Sequence, residues 1–254
     1  MRTGRRSFLK VAGFTVLGLA GRPLLRGVAE ASSTPREPQS AGTRWAMVVD
    51  PRKCLKDEGC RACIDACHTA HNVPVMPEVR HEVKWIWKEP FDKAFPDQEA
   101  EYIDEALTSR SVLVFCNHCD NPPCVRVCPT QATWRRDDGI VMMDWHRCIG
   151  CRYCVAGCPY GSRSFNWRDP RPFIPAITES FPTRTKGVVE KCTFCEERLA
   201  KGMPPACVAA CREGALVFGN LADPNSEVRA LLRSRFAVRR KPALGTHPAV
   251  YYLV

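Results

Sequence analysis

The sequence predicts an α+β fold in which one small unit recurs: a short strand, a loop carrying cysteines, and a helix. Three observations carry this expectation. Sixteen cysteines stand among the 254 residues, far more than an ordinary core uses, and they fall into four groups of four with none left over. Short β-rich runs flank the groups: Trp45 to Val49 before the first, Ser111 to Phe115 before the second, Ile140 to Met143 before the third, Val188 and Val189 before the fourth, and Ala215 to Phe218 after it. The cysteine motif is itself the internal repeat. A hydrophobic share of 45% excludes a disordered tail protein. No apolar run reaches the 18 or so residues of a membrane-spanning helix.

Residues 1–31 read as an export signal. Arg2, Arg5, Arg6 and Lys10 precede an apolar stretch from Val11 to Gly21, and Ala29-Glu30-Ala31 has the small-x-small form of a cleavage site. Arg5-Arg6-Ser7-Phe8-Leu9-Lys10 resembles the twin-arginine signal, which exports proteins already folded, with Gly4 where Ser or Thr is usual. The alternative is a retained signal-anchor, but Arg22, Pro23 and Arg26 interrupt the apolar run. A protein exported in this way takes up its cofactors in the cytoplasm, and its cysteines need not become disulfides. The expected location is the periplasmic, extracytoplasmic face of the cytoplasmic membrane. Removing this segment takes away six cations and one acid, so a net charge of +10 falls to +5. No basic stripe interleaved with aromatics appears, so nucleic acid is not an expected partner.

Residues 32–42, of Ser, Thr, Pro and Gly character, form a linker, and residues 43–220 hold the four cysteine motifs. These are Cys54-x5-Cys60-x2-Cys63-x3-Cys67; Cys116-x2-Cys119-x4-Cys124-x3-Cys128 followed by Pro129; Cys148-x2-Cys151-x2-Cys154-x3-Cys158 followed by Pro159; and Cys192-x2-Cys195-x11-Cys207-x3-Cys211. The third matches the bacterial ferredoxin run C-x2-C-x2-C-x3-C-P. Three thiolates from one tight loop cap three corners of a cubane, and the fourth cysteine, at the start of a helix, caps a second one. Four motifs therefore imply four clusters in two such pairs. Zinc sites usually draw two close pairs of ligands, which this spacing fits poorly. Disulfides suit exported proteins, but C-x2-C loops crowd the sulfurs. Cys63-x3-Cys67-His68 is one residue too long for a haem attachment site, and His68 reads as a first-turn helix residue in the place of proline.

Cys116-Asn117-His118-Cys119-Asp120-Asn121-Pro122-Pro123-Cys124, Cys148-Ile149-Gly150-Cys151-Arg152-Tyr153-Cys154, Lys191-Cys192-Thr193-Phe194-Cys195 and Pro204-Pro205-Ala206-Cys207 resemble the four-cluster iron–sulfur subunits of the dimethyl-sulfoxide-reductase type. The resemblance covers residues 43–254. It implies four 4Fe–4S clusters in a duplicated bacterial-ferredoxin-like fold with pseudo-two-fold cluster pairs, and it pairs the first motif with the fourth and the second with the third. Cys54, Cys60, Cys63 and Cys211 would hold one cluster, and Cys192, Cys195, Cys207 and Cys67 its neighbour. Cys116, Cys119, Cys124 and Cys158 would hold a third, and Cys148, Cys151, Cys154 and Cys128 the fourth. The five-residue gap after Cys54 and Arg212 in place of proline after Cys211 depart from the pattern. The export signal, the Cys67-His68 step and the insert Trp85-Ile86-Trp87-Lys88-Glu89-Pro90-Phe91 most resemble the exported DsrO subunits of Dsr membrane complexes. That resemblance implies two partners, a multihaem cytochrome c and a quinone-interacting integral membrane subunit. The runner-up is the subunit of a polysulfide-reductase-type molybdopterin enzyme or of a hydrogenase.

Each cubane with four thiolates carries about −2, so much of the cationic excess is counter-charge. Arg126, Arg147, Arg152 and Lys191 lie within three residues of cysteines and are candidates to tune the clusters. Prolines 170, 172, 175 and 182 mark residues 170–187 as an irregular excursion. Seven acids between Lys88 and Leu107 face two lysines, with a helix expected near the end. Residues 221–254 form a C-terminal helical extension. Asn225 and Ser226 are candidate caps, and Val228, Leu231 and Leu232 mark an amphipathic helix. No nucleophile–base pattern, phosphate-binding loop or His/carboxylate metal motif stands out. The expectation is an electron carrier without a substrate site of its own, attached to a membrane through partners only.

Overall fold

The computed structural model describes residues 42–54, 59–97, 105, 109 and 111–254. The export signal, residues 32–41 of the linker and most of the expected helix in the acidic stretch lie outside the described residues.

Among the described residues ten short strands follow in order: β1 (Trp45–Val49), β2 (Ile86–Pro90), β3 (Ser111–Phe115), β4 (Thr133–Arg135), β5 (Val141–Met143), β6 (Ser164–Phe165), β7 (Val189–Glu190), β8 (Leu216–Asn220), β9 (Ala237–Val238) and β10 (Val250–Leu253). β1, β8, β9 and β10 form one sheet in the order β8-β1-β10-β9, and the others pair as β2-β3, β4-β5 and β6-β7. Every expected β-run lies on or overlaps a strand. The Trp85–Phe91 insert supplies β2, whose antiparallel pairing with β3 sets Trp87 opposite Val114.

β1 organises the packing because residues along a strand alternate between its two faces. Met47 and Val49 enter the main core, with Trp85, Phe115, Phe194 and Tyr252. Ala46 and Val48 face the other way, into a second core with Val228, Ala249 and Leu253. The helix Glu227–Ser234 covers this second face. Ser226 caps it by accepting the Arg229 backbone N–H at 3.3 Å, and fully buried Val228 anchors it. Burying a valine side chain contributes about 1.5–3 kcal/mol, which holds a two-turn helix that would be unstable alone.

The extension departs from the expected helical appendage. After its helix the chain returns as β9 and β10, and β10 runs parallel to β1 with Met47 opposite Val250 and Val49 opposite Tyr252. Tyr252 is buried and donates its hydroxyl to the Leu113 carbonyl at 3.1 Å. Residues 221–254 therefore complete the sheet. Their apolar ending Val250-Tyr251-Tyr252-Leu253 fits a strand buried on both faces.

The excursion 170–187 is pinned rather than loose. Asn72, itself in the left-handed region at φ 55°, donates its side-chain amide to the carbonyls of Thr178 (3.0 Å) and Phe181 (2.5 Å) and accepts the Thr178 N–H (2.7 Å). Phe181 packs edge-on against His71 and Trp85.

Deleting residues 250–254 removes the strand between β1 and β9. The expected outcome is a chain that gives no cooperative thermal transition, and a thermal melt of the purified truncation checks this.

Candidate metal centres

In the second, third and fourth motifs the cysteine loops turn tightly through a left-handed residue. His118 (φ 41°), Arg152 (φ 63°) and Phe194 (φ 57°) occupy that region inside the second, third and fourth motifs, as does Gly150 (φ 69°). Gly150 has no alternative, because a Cβ there would meet the Gly187 carbonyl oxygen at 2.4 Å. A four-residue helix then carries the third cysteine of each of these motifs: Pro123–Arg126 with Cys124, Tyr153–Ala156 with Cys154, and Ala206–Ala209 with Cys207. The fourth cysteine follows that helix instead of opening one, and Pro129 and Pro159 lie in turns. The first motif differs again. Cys63 and Cys67 share the helix Ala62–Ala70, one turn apart, so His68 falls in its last turn rather than its first. Helix Ala62–Ala70 packs on Ala206–Ala209, and Pro123–Arg126 packs on Tyr153–Ala156.

All sixteen cysteines are free, so none forms a disulfide. The fold gathers them into groups. Cys54, Cys60, Cys63 and Cys211 line a cavity of about 460 Å³. Cys67, Cys192, Cys195 and Cys207 line a smaller enclosed one, and Cys116, Cys119, Cys124 and Cys158 another. Burial, then Cys54, Cys211 and Cys60, push the Cys63 thiol up to about 12. Burial, then Cys192, Cys207 and Cys195, push Cys67 well above the ordinary thiol value. Burial followed by Cys116, with Cys124 and Cys158 adding, pushes Cys119 up to about 12 against a hydrogen bond from Thr246. The remaining four show the same mix of depths as the Cys54 group: Cys154 is buried, Cys128 and Cys148 are half-buried, and Cys151 is exposed. Burial raises Cys154, and Cys124 and Cys148 add to this while Arg163 opposes it. At Cys128 burial is outweighed by hydrogen bonds from the Thr133, Thr130 and Ala132 amides and the Thr130 hydroxyl, which hold its thiol low.

Cysteines of adjacent groups also act on one another. Cys63 raises Cys67 and Cys207. Among the thiols that raise Cys192, Cys116 has the largest effect. Cys124 raises Cys154. Successive groups therefore neighbour one another, from Cys54/Cys60/Cys63/Cys211 through Cys67/Cys192/Cys195/Cys207 and Cys116/Cys119/Cys124/Cys158 to Cys148/Cys154. At the middle junction His118 stacks on Phe194 with ring centroids 3.7 Å apart, and fully buried Lys191 donates its ammonium to the carbonyls of Val141 and Cys192.

This donor set fits iron–sulfur chemistry. Thiolates are the ligating form, and hydrogen-bond donors directed at sulfur favour it. The Phe194, Ala206 and Ala215 amides point at Cys192, Cys195 and Cys211 at 3.4, 3.4 and 3.2 Å.

The 4Fe-4S dicluster domain matches residues 111–171 and 177–221. The chain is 40% identical over 270 aligned residues to the Hdr-like menaquinol oxidoreductase iron-sulfur subunit 1 of Archaeoglobus fulgidus, covering 98% of this chain and 97% of that one. It belongs to the iron–sulfur subunits of this dicluster family. The menaquinone reductase iron-sulfur cluster-binding subunit of Nitratidesulfovibrio vulgaris is 36% identical over 83% of this chain and 88% of its own. A tetrathionate reductase subunit of Salmonella typhimurium is 36% identical over 100% and 89%.

Several residues that touch sulfur in this dicluster-family chain give no signal in the sequence. Arg163 donates to Cys124 Sγ at 3.1 Å. Buried His71 lies 2.8 Å from the Cys67 carbonyl and 3.1 Å from Glu197. Burial opposes its charged form, but hydrogen bonds with Cys195 and Glu197 outweigh this and raise it to about 9. Of the four cations singled out by proximity in sequence, only Lys191 is buried against a group. Arg126 is exposed, Arg147 pairs with Asp144, and Arg152 lies over the Phe165 and Trp167 rings.

Gly150→Ala forces both a left-handed alanine and a backbone clash. The expected loss is about 1–3 kcal/mol of stability, read as a lower thermal midpoint of the loaded protein.

Proposed function

We propose that this chain is an electron-transfer subunit with four 4Fe–4S clusters and no substrate-transforming site. The observation that carries this reading is the succession of sulfur groups, each acting electrostatically on the next. Cys54, Cys60, Cys63 and Cys211 would hold the first cluster, and Cys67, Cys192, Cys195 and Cys207 the second. Cys116, Cys119, Cys124 and Cys158 would hold the third, and Cys128, Cys148, Cys151 and Cys154 the fourth. When bound, such groups supply one-electron carriage.

The chain's own residues position, insulate and neutralise. Amide N–H groups and Lys191 meet negative charge inside the protein. Trp85, Phe115, Phe181 and Phe194 exclude water from the inner groups. Cys60 and Cys151 are the exposed cysteines, one in the first group of that succession and one in the last, so electrons would enter at one end and leave at the other.

The names of the relatives, a menaquinol oxidoreductase and a menaquinone reductase, support a quinone-interacting membrane subunit at one end. A c-type cytochrome at the other, in a sulfur-metabolism complex of the DsrO-containing kind, completes the reading. Arg5-Arg6-Ser7-Phe8-Leu9-Lys10 supports export by the twin-arginine route to the outer face of the membrane. The second reading, an iron–sulfur subunit of a molybdopterin oxidoreductase, is compatible with the similarity to the tetrathionate reductase relative.

Anaerobically purified protein is expected to contain about 16 iron and 16 acid-labile sulfide per chain, with a brown colour bleached by dithionite. Zinc, or an absence of metal, overturns the proposal. Gentle detergent purification from the native membrane separates its two forms. A multihaem cytochrome and a quinone-reactive polytopic subunit support the first, and a molybdopterin subunit supports the second.

A further inference from the structure

Arg163 is a buried cation wedged between two of the sulfur groups. It is 4% exposed and enters the core just before β6, five residues after Cys158. Its Nη2 donates to Cys124 Sγ at 3.1 Å and to Thr133 Oγ1 at 2.7 Å, and its Nη1 reaches Met143 Sδ at 3.6 Å. The Thr133 hydroxyl is itself committed to the Met142 carbonyl at 2.6 Å, so the guanidinium is gripped between the β4–β5 hairpin and a cysteine. Among the described residues no carboxylate forms an ion pair with it. Burial acts most strongly against its charge, and Cys124, Cys154 and Cys116 together outweigh it.

An isolated guanidinium in a protein interior is costly unless an anion meets it, and arginine does not escape the cost by losing its proton. Here the available anions are thiolates of two neighbouring groups. Cys124 belongs to the set Cys116/Cys119/Cys124/Cys158, and Cys154 to the set Cys128/Cys148/Cys151/Cys154. A fixed positive charge stabilises whichever state of its surroundings is more negative, and a hydrogen bond to a ligand sulfur acts in the same direction.

We propose that Arg163 is a positioning residue for both of these centres, holding their reduction potentials above the values they would otherwise take. The proposal rests on the four-cluster reading. Both centres receive the charge, and the guanidinium acts on each as a hydrogen-bond donor as well, at 3.1 Å on Cys124. Adding one electron to either centre makes it more negative by one unit, which the guanidinium offsets without moving.

The test is an anaerobic potentiometric titration of the full-length, loaded protein followed by EPR, with iron and sulfide measured on each sample. In Arg163→Gln two of the four midpoint potentials are expected to fall and two to stay in place. In Arg163→Lys, which keeps the charge but not the fork of donors, the fall is smaller. Unmoved midpoints in a fully loaded Arg163→Gln, or an equal shift of all four, overturn the proposal. If Arg163→Gln loses iron instead, loading decides. Recovery in Arg163→Lys supports a charge requirement, and equal loss in both variants overturns it in favour of a packing role. Unsubstituted protein that loads no iron defeats the four-cluster reading and this inference together, whereas a fully loaded protein indifferent to Arg163 defeats this inference alone.

Discussion

Thiolates crowded together away from water repel one another, and the architecture of this chain is a response to that constraint. Burial and neighbouring sulfur drive Cys63, Cys67, Cys119, Cys192 and Cys207 upward together, so a group of four cannot ionise unaided. The protein answers with donors: amides at Cys192, Cys195 and Cys211, a guanidinium at Cys124, and an ammonium beside Cys192. Two buried cations, Arg163 and Lys191, meet this interior directly.

The same constraint shapes the core. Cys63, Cys67 and Cys207 pack in one cluster with Met47, Trp85, Phe115 and Phe194, so sulfur groups occupy space that aliphatic side chains fill elsewhere. Around them the sheet is thin, and β1 serves two cores at once. Short hairpins and four-residue helices suffice because the loops between them, set by left-handed residues, do the positioning. In members of this dicluster family, such loops would be completed by the inorganic group they hold, which joins metal uptake to folding.

Much of this is legible in the sequence because covalent spacing is local. Cysteines two or three residues apart must lie on one loop, and Trp45–Val49 and Ser111–Phe115 announce strands by composition. What stays hidden is everything that depends on approach from a distance. Arg163 lies five residues from the nearest cysteine in the chain, yet the sulfur it contacts is that of Cys124, 39 residues away. Arg126 and Arg147, adjacent in sequence, turn outward. β10 gives no pattern because four apolar residues at a chain end carry no period, and its pairing with β1 joins residues about 200 positions apart. His68 falls late in its helix because the helix of the first motif begins before Cys63, whereas its counterparts carry only their third cysteine.

The parallel pairing of β1 with β10 imposes an order in time. Cys116, Cys119, Cys124 and Cys158 can meet once the ribosome has released the middle of the chain. The set containing Cys54 must wait for Cys211, and the sheet behind it must wait for the last strand. A nascent chain thus offers its central sulfurs first and leaves the earliest-made ones waiting longest for their partner, so the sets are completed from the middle of the sequence outward.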